Sequence, residues 1–191
     1  MRLRDVAALG AASSVLLVAC STGSDAVDTS SNGRFRFVSA TAQGQLIPAA
    51  TRKPAADFHG DLIGGGGYSL GQDSGKVVVI NFWASWCGPC VLESPMLDRV
   101  YRETKTLGVD FVGIDIKDER QAAEAFVHDK HISYHIVYDE PAKTALQLGI
   151  PAAGLPVTAV IDRRGLVAAV YIGAVHYPDI DPVVKRLAAE S

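Results

Sequence analysis

The sequence predicts an α/β fold, a central mixed sheet flanked by helices on both faces. Three observations carry that prediction. Val77-Val78-Val79-Ile80-Asn81-Phe82-Trp83 is an almost unbroken apolar, β-branched run, the pattern of a strand buried on both faces. Helix-like and strand-like segments alternate after it as far as Leu148. Two further β-rich runs, Val157 to Ile161 and Leu166 to Ile172, are joined by Asp162-Arg163-Arg164-Gly165, a hairpin turn.

The N-terminus precedes that domain. Arg2 and Arg4 stand before an apolar run from Val6 to Ala19, the charged-then-hydrophobic order of an export signal, and the run is too short to span a bilayer. It ends Leu17-Val18-Ala19-Cys20-Ser21, which resembles the lipobox at which bacterial lipoproteins are cleaved and acylated. Residues 1–19 are therefore expected to be a lipoprotein signal peptide, with Cys20 the lipidated residue. From Ser21 to Pro54 the chain is rich in Ser, Thr, Ala and Gly without periodicity, so residues 20–54 read as a flexible tether with a reach of about 30–35 Å. The folded domain is placed at 55–191.

Within it, two short segments flank Gly64 to Gly67 and predict an N-terminal β-hairpin. No Lys-Ser/Thr follows these glycines, so they are not a phosphate loop. After the strand at Val77–Trp83, Leu92, Met96, Leu97, Val100 and Tyr101 fall at helical spacing up to Gly108, with a kink expected at Pro95. Val109 to Ile116 reads as the next strand. Asp118 to Lys130 reads as a helix, and Ile136-Val137-Tyr138 as a strand; together they form an inserted helix–strand unit. Ala142 to Leu148 is a short helix, and Val183 to Ala189 a closing one.

Lys and Arg are scattered and the net charge is −3, which excludes a basic nucleic-acid face or a polybasic lipid patch. The three cysteines carry more information. Lipidation of Cys20 would leave Cys87 and Cys90 as a pair separated by two residues. A Cys-x-x-Cys that opens a helix directly after a buried strand places its first sulfur where unpaired N–H groups and the helix dipole favour negative charge, so Cys87 is the expected thiolate. Pro89 is tolerated in the first turn because its missing N–H would be unpaired there. No second Cys-x-x-Cys completes a zinc site, and His128, His131 and His135 have no nearby Cys or carboxylate pair, so no metal is expected.

The segment Val79-Ile80-Asn81-Phe82-Trp83-Ala84-Ser85-Trp86-Cys87-Gly88-Pro89-Cys90 resembles the active-site segment of the thioredoxin superfamily. Glu93-Ser94-Pro95 and the insertion between about Asp118 and Tyr138 are similar to its extracytoplasmic TlpA/ResA/CcmG group. Gly154-Leu155-Pro156-Val157-Thr158 resembles the cis-proline loop of that group. The resemblance implies a thioredoxin fold, Cys87 as attacking sulfur, Cys90 as resolving sulfur, and a cis Pro156 opposite them. Gly154 and Leu155 would offer backbone for strand-like pairing with a substrate, and Trp86 would shield Cys87 and add to the docking surface. Trp83 is assigned to the core. Asn81 stands where cytoplasmic thioredoxins carry a buried Asp, so Glu93 is the expected proton acceptor for the resolving thiol, the alternative being an acidic side chain that only stabilises the first turns of the helix.

The implied function is thiol-disulfide exchange on exported proteins, with no cofactor beyond the Cys87–Cys90 disulfide. The expected direction is reductive: keeping the CxxCH thiols of apocytochrome c reduced in cytochrome c maturation, with recharging by a membrane thiol donor of the CcdA/DsbD type. The location would be the extracytoplasmic face of the cell membrane. An oxidase that introduces disulfides into secreted proteins is the alternative in the same chemistry. A copper metallochaperone on this fold resembles CxxxC, one residue longer than the spacing here, and a peroxidase would need a threonine that Trp83-Ala84-Ser85-Trp86 does not supply.

Overall fold

The computed structural model describes residues 33–37, 44–151 and 154–190. The expected signal segment 1–19, the expected lipidation site Cys20 and the expected tether residues 21–32 and 38–43 lie outside them. In chain order the elements are β1 (His59–Leu62), β2 (Gly67–Ser69), β3 (Val77–Trp83), α1 (Gly88–Thr104), β4 (Val109–Asp115), α2 (Arg120–Asp129), β5 (His135–Tyr138), α3 (Lys143–Gln147), β6 (Val157–Ile161), β7 (Val167–Ile172) and α4 (Tyr177–Ala189). The strands form one sheet in the order β2-β1-β5-β4-β3-β6-β7.

Every residue of β3 is buried, which is why its sequence shows no alternation. It lies parallel to β4 and antiparallel to β6, so both its edges and both its faces are covered. One face packs against α1, α2 and α4 through Leu97, Val100, Ala123, Ile180, Val184 and Leu187. The other face packs Val78, Ile80 and Phe82 against Phe58, Ala145 and Leu148. The hairpin β1–β2 turns at Gly65 and Gly66, whose φ values of 92° and 85° suit glycine. The β6–β7 turn is fixed by Asp162, whose Oδ1 accepts from the N–H of Arg164 at 2.9 Å and of Leu166 at 3.0 Å.

Three boundaries differ from the sequence reading. The helix α1 opens at Gly88, where the Cys-x-x-Cys places its start, but it runs through Pro95 and ends at Thr104, and a 3-10 turn over Lys105–Leu107 carries the chain to Gly108. The last helix starts at Tyr177 and not Val183, because Pro178 occupies the first turn, where no N–H is needed, and Pro182 is carried inside the helix.

The third correction concerns the domain start at residue 55. Residues 33–37 and 44–54 pack on the domain. The N–H groups of Gly44 and Ile47 donate to the carbonyls of Val170 and Ala168, and Val167 N–H donates to Lys53. The physical cause is side-chain burial without periodicity. Phe35 is buried, and the Arg52 guanidinium, 1% exposed, pairs with Asp162 at 2.9 Å and Glu190 at 2.6 Å. This segment also covers the outer edge of β7, which would otherwise present unpaired backbone groups.

Candidate active site

The site forms where β3 ends and α1 begins. Cys87 is the N-cap of α1, with extended backbone angles (φ −82°, ψ 104°), and its Sγ accepts from Cys90 N–H at 3.3 Å. That contact aligns the sulfur with the unpaired amides of the first turn, where a thiolate would be stabilised by hydrogen bonding and by the dipole. Cys87 and Cys90 form a disulfide. Both are buried, Cys90 completely.

Glu93 follows Cys90 by three residues and shares its helix face. It is 3% exposed. One carboxyl oxygen accepts from Asn81 Nδ2 and the other from Val175 N–H, both at 2.9 Å. Burial pushes its pKa up to about 7, and the two donors pull in the opposite direction without reversing it. A carboxyl with that acidity can both take and give a proton near neutral pH.

Asn81 also donates to Thr158 Oγ1 at 3.0 Å. Asn81 and Thr158 are register partners across β3 and β6 and are the polar side chains of two otherwise apolar strands. Sequence reasoning singled out Asn81 only for what it replaces, and passed over Thr158. The shared polar exception in two apolar runs was the available signal. Val175 left none, because it acts through its backbone N–H.

The Leu155–Pro156 bond is cis, directly before β6, with Gly154 exposed and Leu155 half-buried beside the described sheet end. Trp86 is 62% exposed, and its Nε1–H donates to the carbonyl of Lys117 at 2.8 Å. Trp83 is buried, with its ring 4.7 Å from Phe126. Ser85, two residues before Cys87, is held by Asp118: its N–H and its hydroxyl both donate to that carboxylate. His128 and His131 lie with rings 6.4 Å apart and His135 stands against Tyr68, away from this constellation.

A family model described as Redoxin matches residues 42–185. The chain belongs to the Redoxin family. Among relatives of this redoxin is the thiol-disulfide oxidoreductase ResA of Geobacillus kaustophilus, 28% identical over 132 residues, covering 69% of this chain and 75% of that protein. The thiol:disulfide interchange protein DsbE of Pseudomonas fluorescens is 34% identical over 113 residues, covering 59% of this chain and 57% of that one. A secreted thiol-disulfide isomerase from Corynebacterium glutamicum superposes with a TM-score of 0.78 at 32% identity, covering 83% of this chain and 99% of the other. The redoxin is thus a thioredoxin-like thiol-disulfide oxidoreductase of the ResA/DsbE type, in the TlpA/ResA/CcmG group, with Cys87 and Cys90 as its cysteine pair.

Proposed function

We propose that the protein is an extracytoplasmic reductase that keeps the CxxCH thiols of apocytochrome c available for haem attachment. In each cycle the Cys87 thiolate attacks one sulfur of the substrate disulfide, forming a mixed disulfide and expelling the other sulfur as a thiolate. Cys90 then gives its proton to Glu93 and attacks the Cys87 sulfur, closing the protein disulfide and releasing the second substrate thiolate. Two electrons pass to the substrate, and a membrane dithiol donor of the CcdA/DsbD type returns the protein to its reduced form. Gly154, Leu155 and Pro156 would align the substrate backbone, with Trp86 adding apolar contact. Cys20 would carry the lipid that holds the protein at the outer face of the cell membrane.

The observation that carries this reading is Glu93, a buried carboxyl one helical turn from Cys90 with a pKa near 7. It supplies the proton acceptor that resolution requires.

The likeness to the secreted isomerase favours a second reading, in which the same centre forms or rearranges disulfides in secreted proteins. The Cys87/Cys90 potential, measured against glutathione, separates the two. A value near about −270 mV supports the reductase, and one near about −120 mV overturns it. Cys90→Ala should trap the physiological partner as a mixed disulfide on Cys87; a trap holding apocytochrome c supports the proposal, and one holding only other secreted proteins refutes it.

A further inference from the structure

Asp115 ends β4 in register with Trp83 of β3, so it stands on the sheet face that carries the cysteine pair. Its side chain is completely buried, and among the described residues no donor reaches either carboxyl oxygen. An ionised carboxylate would not remain so placed, because a buried charge without donors is strongly penalised. Two charged groups act on it: Asp118, from the loop after β4, and Arg120, from the start of α2. Arg120 is engaged over the ring of Tyr138 at 4.4 Å, and Tyr138 is the register partner of Asp115 on β5. Burial first, then the negative charge of Asp118 and the hydrogen bond that a protonated Asp115 can donate to it, push the Asp115 carboxyl up to about 8, which Arg120 only partly offsets.

Asp118 is placed differently. It accepts from the N–H and hydroxyl of Ser85 and from Glu119 N–H at 2.8 Å. These bonds suit an anion, and they pin the chain two residues ahead of Cys87. One carboxyl of the pair is therefore furnished with donors and the other with none.

We propose that Asp115 is a positioning residue for exchange: as a neutral carboxyl it leaves Asp118 the single negative charge behind the Ser85-Trp86-Cys87 segment, and its ionisation loosens the hold of Asp118 on Ser85. Loss of the Asp115 proton to solvent puts two like charges together in a buried site. The strain is relieved by moving Asp118 towards water, away from Ser85, and Cys87 loses the fixed approach to its N-cap position. Attack by Cys87 then slows at alkaline pH although its thiolate fraction rises. The inference rests on exchange at Cys87 but not on the direction of electron flow.

The test uses the full chain. The reduced protein is reacted with dithionitrobenzoate between pH 6 and 10, and the pH profile of the rate is compared with that of Asp115→Asn. The wild type should fall about threefold or more between pH 8 and 9.5, giving the descending limb of a bell, and the variant should lack that limb. A wild-type rate that rises to a plateau, or a variant that falls equally, overturns the proposal. A purely structural role for Asp115 would change the denaturation midpoint of the variant without removing the limb.

A second measurement needs no variant: carboxyl carbon NMR of Asp115, with the Ser85 amide followed in the same samples. The carboxyl should titrate near pH 8 with the Ser85 amide shifting at the same midpoint. Titration below pH 6, or an unmoved Ser85 amide, refutes the inference whatever the exchange assay shows. Absence of any reaction with the reagent would count instead against exchange at Cys87.

Discussion

Replacing Glu93 with Gln tests the buried carboxyl most directly, because its effect depends on pH in a way that packing does not. The Glu93 pKa is raised from 4.5 to about 7, so the folded protein holds this proton more tightly than the unfolded chain does. At 1.36 kcal/mol per tenfold change in acidity, that corresponds to about 3 kcal/mol. The stabilising contribution is fully present below pH 4.5 and is lost as the pH rises through 7. Glu93→Gln removes the titration and adds a constant cost: Gln keeps one acceptor oxygen, so its amide nitrogen must face either Asn81 Nδ2 or Val175 N–H, donor against donor, at about 1–3 kcal/mol.

The variant should therefore be less stable than the wild type at pH 4.5. It should recover about 3 kcal/mol relative to the wild type by pH 8.5. Urea denaturation of both disulfide forms across that range measures the gap, and other titrating groups, Asp115 included, are common to both proteins and cancel. A gap that stays constant with pH would refute the assignment of a raised acidity to Glu93.

Three further outcomes are expected. In exchange, Glu93→Gln should lengthen the lifetime of the mixed disulfide at pH 7 by at least about tenfold and flatten the pH dependence of its resolution, read by rapid quenching; an unchanged profile would leave Glu93 only a helix-stabilising role. Arg52→Ala should cost about 3 kcal/mol by denaturation, at the lower end for a broken buried pair because Asp162 keeps Arg164 at 3.2 Å; it should also expose residues 44–54 to protease, and a loss under about 0.5 kcal/mol contradicts the clamp. Gly113→Ala would place a Cβ 2.6 Å from Ile136 Cδ1 and 2.9 Å from Trp83 Nε1, so a loss of about 1–3 kcal/mol is expected, and an unchanged melting temperature would contradict this packing.

The sheet was legible wherever burial leaves a one-dimensional trace. The β-branched run of β3, the Asp162–Gly165 turn and the glycine turn of the first hairpin each follow from local rules, and each element stands where those rules place it. What escaped depends on single long-range contacts. The packing of 44–54 rests on one arginine reaching Asp162 and Glu190 and on backbone bonds to β7, and neither produces a periodic pattern. The early start of α4 was hidden by prolines that usually mark a boundary. The site divides in the same way. Cys87 and Cys90 announce themselves by spacing, but Val175 contributes only a backbone N–H, and the isolation of Asp115 appears only once Trp83, Asp118 and Arg120 surround it in space.

The docking of the N-terminal segment bears on how far the sulfurs can travel. If Cys20 is the lipid anchor, the chain from there to Phe35, which is buried and whose N–H donates to the carbonyl of Pro54, is about 15 residues and spans at most about 50 Å when fully drawn out. A free leash running to Pro54 would have allowed about 120 Å. A head held on so short a leash cannot sample distant partners by swinging outwards. Its substrate and its electron donor would have to be met in the same thin layer above the bilayer, and rotation of the head, more than extension of the chain, would decide which of the two the Cys87–Cys90 pair faces.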